Sequence, residues 1–295
     1  MKPRTLALFT AMTLFAVLGL TVQNPAQTII TFDPPGSTNT YAFGINPAGA
    51  ITGYYFGNGV HGFLRAADGT ITTFDPPGST ITYVLSINPA GAITGYFYDA
   101  SSVPHGFLRA PDGTITTFDA PGAGTGLFQG TYALGINPAV AITGTYIDAS
   151  NAQHGFLRAA DGTFTTFDPP GSTYTYVVSI NPAGAIPGTY IDASNVYHGF
   201  LRAADGTFTT FDPPGSTGTS PLSINPAGAI TGYFYDASAL RYGGFVRAAD
   251  GTISTFNPPG SIRILPLSIN PAGAITGRYN TSLKGPGWHG FLRSP

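Results

Sequence analysis

HGFLRAADGTFTTFDPPGST, residues His154–Thr173, returns letter for letter at His198–Thr217. A third copy, His61–Thr80, differs only at Ile71, where the others carry Phe164 or Phe208. Drifted relatives start at His105 and Gly243, and a truncated one at His289. Self-similarity at a fixed spacing marks an array of supersecondary units, each of which buries its apolar face against the next.

Two other motifs keep the same register. FDPPG-like pentads begin at Phe32, Phe74, Phe118, Phe167, Phe211 and Phe256, in steps of 42, 44, 49, 44 and 45 residues. The long step holds an insertion around Gly122–Gln129. Ile-Asn-Pro triplets start at Ile45, Ile87, Ile136, Ile180, Ile224 and Ile269, so the register runs from about Thr28 to Arg293.

One repeat suffices to read the strands. Tyr176–Ile180 is apolar and β-rich and ends on Asn181-Pro182-Ala183-Gly184, a turn signal. A second strand follows over about Ala185–Ile191, and a looser connection, Asp192–Tyr197, leads to a third, His198–Ala203. Asp205-Gly206 tolerates the left-handed conformations of a two-residue primed hairpin. The fourth strand, Thr207–Phe211, stops at Asp212-Pro213-Pro214-Gly215, because proline has no N–H to continue a ladder.

Four strands in about 45 residues is the dimension of a propeller blade. The order of strands and turns resembles the blade of WD-repeat proteins, which places the first strand innermost and the fourth outermost. The chain starts with a lone fourth strand, Thr28–Phe32, and finishes with the other three, about Ile264–Arg293. The expectation is therefore an all-β, six-bladed β-propeller of four-stranded blades, with the N-terminal strand closing the last blade. An open β-solenoid is the alternative, and it would need capping repeats to cover its apolar ends. Pro187 resists the scheme, since it replaces a threonine inside the second strand of the fourth repeat, and central strands rarely accept proline.

Composition narrows the class. Charged residues make up 9% and the formal net charge is −2, so the basic footprint of a nucleic-acid binder is missing. Lys2 and Arg4 precede an apolar run, Leu6–Leu20, that is short for a bilayer span. Residues 1–26 are read as a signal peptide and 27–295 as the six-repeat domain, with a retained membrane anchor as the alternative. The reading implies a secreted, periplasmic or surface protein with no membrane span once the signal is removed. The chain has no cysteine, which excludes disulfides, thiolate chemistry and a lipid-modified N-terminal cysteine.

The recurring Ile-Asn-x-x-Gly-x-Ile-x-Gly core, followed by His-Gly-Phe-Leu and a glycine-centred hairpin, resembles the HAF-type probable extracellular repeat family of bacteria. The likeness covers about Thr28 to Arg293. Two departures stand out: glycine at Gly62, Gly106, Gly155 and Gly199 where the family usually has alanine, and FDPPG in place of a Leu-Gly-rich segment. The resemblance implies a secreted repeat protein and carries over no catalytic residue.

The acidic residues argue against catalysis. There is no glutamate, and all fourteen aspartates fall at repeated positions. Five lie in Asp-Gly turns, five open the FDPPG-like turns, and Asp99, Asp148, Asp192 and Asp236 end the second strands. An acid/base pair needs two carboxyls in unlike environments, and repetition supplies like ones. The five histidines also belong to the repeat, which suits hydrogen bonding within or between blades. His198 shares a blade end with Asp192 and Asp212, an arrangement open to a divalent cation, but it matches no ligand spacing, so neither a metal nor a cofactor is expected. The repeated arginines, such as Arg158 and Arg202, are expected to pair with aspartates or to extend from the blade edge.

Function is sought where the repeats differ. The connections that vary lie at one end of every blade and contribute Phe128, Tyr197, Arg241, Tyr242, Lys284 and Trp288, the single tryptophan. Aromatic and arginine side chains on loops are what recognition surfaces use, and neutral drift of tolerant loops is the competing account. Arg241, Arg263, Arg278 and Lys284 would add a mildly basic sector. The sequence thus points to a monomeric, non-catalytic binding or structural module for a cell-surface glycan or another protein. A propeller enzyme acting on a carbohydrate or lactone is the alternative, with a self-associating matrix protein as a third class.

Overall fold

The computed structural model describes residues 29–282 and 287–295. Two compact units are distinguished, Met1–Phe32 and Asp33–Pro295. The expected signal peptide, residues 1–26, lies outside the described residues. Residues 29–32 carry no strand.

The second unit is all-β. Its first repeat is β1 (Asn39–Ile45), β2 (Ile51–Gly57), β3 (Gly59–Arg65) and β4 (Ile71–Phe74). The second is β5 (Ile81–Ile87), β6 (Ile93–Tyr98), β7 (Pro104–Arg109) and β8 (Ile115–Phe118). β9 (Gly130–Ile136), β10 (Ile142–Ile147), β11 (Gln153–Arg158) and β12 (Phe164–Phe167) form the third. β13 (Ser172–Val177), β14 (Ile186–Asp192), β15 (Tyr197–Arg202) and β16 (Phe208–Phe211) form the fourth. The fifth is β17 (Ser216–Ile224), β18 (Ile230–Asp236), β19 (Arg241–Arg247) and β20 (Ile253–Phe256), and the sixth is β21 (Arg263–Ile269), β22 (Ile275–Asn280) and β23 (Trp288–Arg293). Each repeat is an antiparallel meander, and single parallel bridges, Val60↔Ile81 and Tyr197↔Gly218, join successive repeats.

The turns follow from their residues. Asn46 bends the chain between β1 and β2, its Oδ1 accepting from the Ala50 N–H at 3.0 Å while Gly49 takes a φ of 83°. The hairpin between β15 and β16 corrects the two-residue expectation. Ala203 N–H donates to Thr207 O and Gly206 N–H to Ala203 O, so three residues turn the chain and only Gly206 is left-handed.

A bulge in the first strand of most repeats, such as that between Val84 and Ser86, brings it close to the second. A Cβ on Gly95 would collide with the Tyr83 carbonyl oxygen, which is why Thr-Gly recurs there. Pro187 shows what happens when the preceding threonine is lost. It keeps its place opposite Leu201 in β15, but the β13–β14 ladder ends at Val177↔Gly188 and residues 178–180 leave the strand. A proline has no N–H for that ladder. Pro221 and Pro266 sit at the bulges of β17 and β21 instead, opposite Gly232 and Gly277.

The core is distributed between repeats. Phe63, Phe107, Phe156, Phe200 and Phe245 are fully buried, as are Ile93, Ile142, Ile186, Ile230 and Ile275. One cluster joins Phe167 of β12 to Val177, Ile186 and Phe200 of the next repeat, so each interface is a shared core. Full burial of one such phenylalanine contributes roughly 1.5–3 kcal/mol. The repeated arginines contribute differently from the expectation. The guanidinium of Arg158 lies 4.9 Å above the ring of Phe118 of the preceding repeat, and Arg109, Arg202, Arg247 and Arg293 repeat the contact.

The inner strand turns are clipped to one another. Asn88 Nδ2 donates to the Asn137 carbonyl at 3.2 Å, Asn137 to Asn181, Asn181 to Asn225, and Asn225 to Asn270. The turns that follow the first strands of the second to sixth repeats are thus neighbours along the array.

At the array's ends the expectation is not met. The sheet of the sixth repeat has three strands, with no fourth over residues 29–32. Ile45 and Leu292 are 68% and 71% exposed, so both terminal repeats show apolar surface.

Candidate functional site

One residue before the His-Gly position, at or next to the start of the third strand, the register makes six residues equivalent. They are Val60, Pro104, Gln153, Tyr197, Tyr242 and Trp288, opposite Phe56, Tyr98, Ile147, Ile191, Tyr235 and Asn280. The position is aromatic in the fourth, fifth and sixth repeats only. Three of the sequence-predicted residues therefore form one row, by strand register and not by loop proximity.

A groove of about 400 Å³ opens between the fourth and fifth repeats, walled by Tyr197, Tyr233, Tyr235 and Tyr242, with Thr217, Gly218 and Ser220 on its floor. The rings of Tyr235 and Tyr242 are 5.1 Å apart and tilted; those of Tyr233 and Tyr242 meet edge-on at 5.8 Å. Beyond it the row continues through guanidinium groups. Arg263 lies 5.3 Å from the centre of the Tyr242 ring and 5.6 Å from Trp288, and Arg278 lies 4.6 Å from Trp288 on the same strand pair.

The other sequence-predicted residues stand apart. Phe128 has a φ of 60° and meets Tyr98 edge-on at 5.9 Å, between the second and third repeats. Arg241 pairs with Asp236 in register and, as the strand neighbour of Tyr242, faces the opposite side of the sheet. Lys284 lies outside the described residues. The basic sector is thus reduced to Arg263 and Arg278, both engaged by Trp288.

A second groove, about 300 Å³, was not foreseen. Tyr96, Tyr132, Leu134, Thr145, Ile147, Gln153 and Tyr176 line it. It belongs to a run of tyrosines in the first and second strands, with Tyr54–Tyr83 at 4.9 Å, Tyr83–Tyr96 at 5.1 Å and Tyr96–Tyr132 at 5.0 Å. Burial raises the hydroxyl pKa of Tyr96 and Tyr132, so both stay neutral at all ordinary pH. The available signal was variation inside a strand: TGYYF, TGYFY, TGTYI and TGRYN occupy the same register.

The histidines have structural partners. Nδ1 of His198 is 2.7 Å from Asp212, and its Nε2 is 3.5 Å from Asp192. Asp212 also accepts from Thr219 of the next repeat. His61, His105 and His154 repeat the contact with Asp75, Asp119 and Asp168. Burial lowers the pKa of His198, but the hydrogen bonds and charges of Asp212 and Asp192 outweigh it and raise the value overall. Among the described residues no group of His, Asp, Glu or Cys side chains could hold a metal ion, and no helix is long and apolar enough to cross a membrane.

No family model and no curated protein matches the sequence. Among solved structures the chain is similar to TolB from Acinetobacter baumannii, with a TM-score of 0.54 and 16% identity, over 74% of this chain and 53% of that one. It is similar to the Dos1 propeller at 0.55 and 10%, over 84% and 68%, and to dipeptidyl peptidase 4 of Porphyromonas gingivalis at 0.51 and 12%, over 81% and 42%. The chain thus spans about half the length of that TolB. At these identities the likeness defines the fold: an all-β, propeller-like array of four-stranded sheets.

Proposed function

We propose that this chain is an exported, non-catalytic binding module that engages its ligand, a cell-surface glycan or protein, along the row Tyr197–Tyr242–Trp288. The observation that carries the reading is the convergence of three aromatic side chains at one register position of consecutive repeats, beside an open groove. Aromatic rings flanked by arginine are the usual anchors of a recognition surface. The titratable groups favour binding over catalysis, because the histidine–aspartate pairs repeat in like settings, each within one repeat, and Asp75, Asp168 and Asp212 also accept from a threonine of the next. The test is binding of the mature protein to a glycan array and to immobilised surface proteins, comparing wild type with Tyr197→Ala and Tyr242→Ala. Retained binding in both variants rejects the reading, and turnover of a carbohydrate or lactone favours the enzyme instead. Export is tested by fractionating cells that express the full chain with and without residues 1–26.

The same proposal takes each of the six repeats as one blade of a propeller.

A further inference from the structure

The groove between the fourth and fifth repeats has an equivalent between the fifth and sixth, and that equivalent is filled. The register identifies one position in the inner strand that faces the preceding repeat: Ile81, Gly130, Tyr174, Gly218 and Arg263, opposite Tyr98, Ile147, Ile191, Tyr235 and Asn280. Each is set beside the aromatic-row position of the repeat before it. Ile81 bridges to Val60, Gly218 bridges to Tyr197, and Arg263 stacks on Tyr242. Tyr174 is hydrogen-bonded to Gln153.

Each of these interfaces has its own way of filling the slot. Isoleucine, tyrosine and arginine side chains occupy three. In the second–third interface Gly130 has φ 139° and Pro104 lies so close that a Cβ would strike its carbonyl oxygen and its ring. Only Gly218 is different. Its φ is outside the left-handed region, and a Cβ there would meet nothing nearer than Tyr197 Cβ at 3.6 Å. The backbone accepts a side chain that the sequence does not provide, and the space is part of the 400 Å³ groove.

The walls of this slot match those of the filled one. Between the fifth and sixth repeats the order is Tyr242, the Arg263 guanidinium, then Trp288, with distances of 5.3 and 5.6 Å. Between the fourth and fifth it is Tyr197, Gly218, then Tyr242, with Tyr233 and Tyr235 against Tyr242. Two aromatic faces attract a planar cation held between them, and a guanidinium suits the gap better than an ammonium because it also stacks.

We propose that the slot over Gly218 binds an arginine side chain of a partner protein, inserted between Tyr197 and Tyr242 as Arg263 is inserted between Tyr242 and Trp288. The inference rests on the binding-module reading and specifies protein, not glycan, as the partner. The chain contains a copy of the expected complex in its own next interface.

The probe is the peptide Ac-Gly-Arg-Gly-NH2, titrated into the mature protein and followed by NMR, with lysine and citrulline versions as controls. The expected dissociation constant is on the order of 1 mM for the arginine peptide, with one site per chain. The lysine peptide should bind at least about threefold more weakly and the citrulline peptide about tenfold, since citrulline keeps the shape and loses the charge. Gly218→Arg should fill the slot from within, abolish binding and leave the thermal midpoint unreduced. Arg263→Gly should open a second slot, raise the stoichiometry to two and make Trp288 fluorescence respond to the peptide. Equal binding of the citrulline peptide, or an unchanged stoichiometry in Arg263→Gly, overturns the proposal. If partner binding depends on Tyr197 and Tyr242 but the arginine peptide neither binds nor competes, the binding-module reading stands and this one falls.

Discussion

Restoring the threonine that the fourth repeat lacks should stabilise the protein. In four repeats the threonine before the strand glycine is buried and its hydroxyl donates to a phenylalanine carbonyl of the third strand. Thr52 reaches Phe63 O at 2.8 Å, Thr94 Phe107 O at 2.7 Å, Thr143 Phe156 O at 2.8 Å and Thr231 Phe245 O at 2.9 Å. Pro187 has neither that hydroxyl nor an N–H, and β13 ends at Val177 where β5 runs on to Ile87. Pro187→Thr regains one buried hydroxyl bond and the lost ladder bonding, each contributing about 0.5–1.5 kcal/mol net. Greater freedom of the unfolded chain offsets about 0.4–1 kcal/mol of this. The balance is a gain of about 1–2 kcal/mol, or about 3–6 °C in the thermal midpoint. Calorimetry gives the shift, and hydrogen exchange should slow at residues 178–180. A midpoint that falls, with exchange there unchanged, would refute the account of Pro187. Thr231→Pro in the fifth repeat is the reciprocal control and should shorten β17.

Three other outcomes are expected. Gly95→Ala drives a methyl group into the Tyr83 carbonyl and should lower stability by more than about 3 kcal/mol in denaturant titrations, whereas Gly290→Ala, with open space around it, should cost about 1 kcal/mol or less. Phe200→Ala empties a fully buried site shared by two repeats and should cost about 3–5 kcal/mol by the same titration. His61 and His198 have raised pKa values, the first chiefly through its hydrogen bond to Asp75. Their contribution is complete below the ordinary value near 6.5 and is lost as pH rises through the raised one. The thermal midpoint should therefore decline modestly from about pH 6 to 8, because these pairs are partly exposed and screened. Asp212→Asn should flatten the part owed to His198, which also faces Asp192 and the Tyr190 ring.

How much the sequence revealed depended on whether a residue answers to its own repeat or to the next. Strands such as β15 and β16, and the stops at Asp-Pro-Pro-Gly, were legible because local turn chemistry fixes them. The hairpin type was misjudged because Asp-Gly fits both a primed turn and a type I turn followed by a left-handed glycine. Tyr197, Tyr242 and Trp288 were singled out as variable-loop residues, yet their relation is strand register, visible only once the bulges fix which residues oppose each other. The tyrosine run Tyr54–Tyr83–Tyr96–Tyr132 is not legible as a surface because an aromatic in a strand reads as core. Arg158 on Phe118 was missed because the contact crosses from one repeat to the next, where a periodic sequence offers several aspartates as more obvious partners.

The asparagine clips have a consequence for how such a chain can grow. Asn137 both donates through its side chain to the following turn and accepts, through its backbone carbonyl, from the preceding one. A copy of the repeat inserted at an interior boundary would bring its own donor and its own acceptor and would meet a matching partner on either side. The array has, in effect, a standard coupling. Tandem duplication of a whole repeat is therefore a gentle change, whereas gain or loss of a partial repeat breaks the chain of clips. The unaltered twenty residues shared by the third and fourth repeats are what a recent use of that coupling would leave behind.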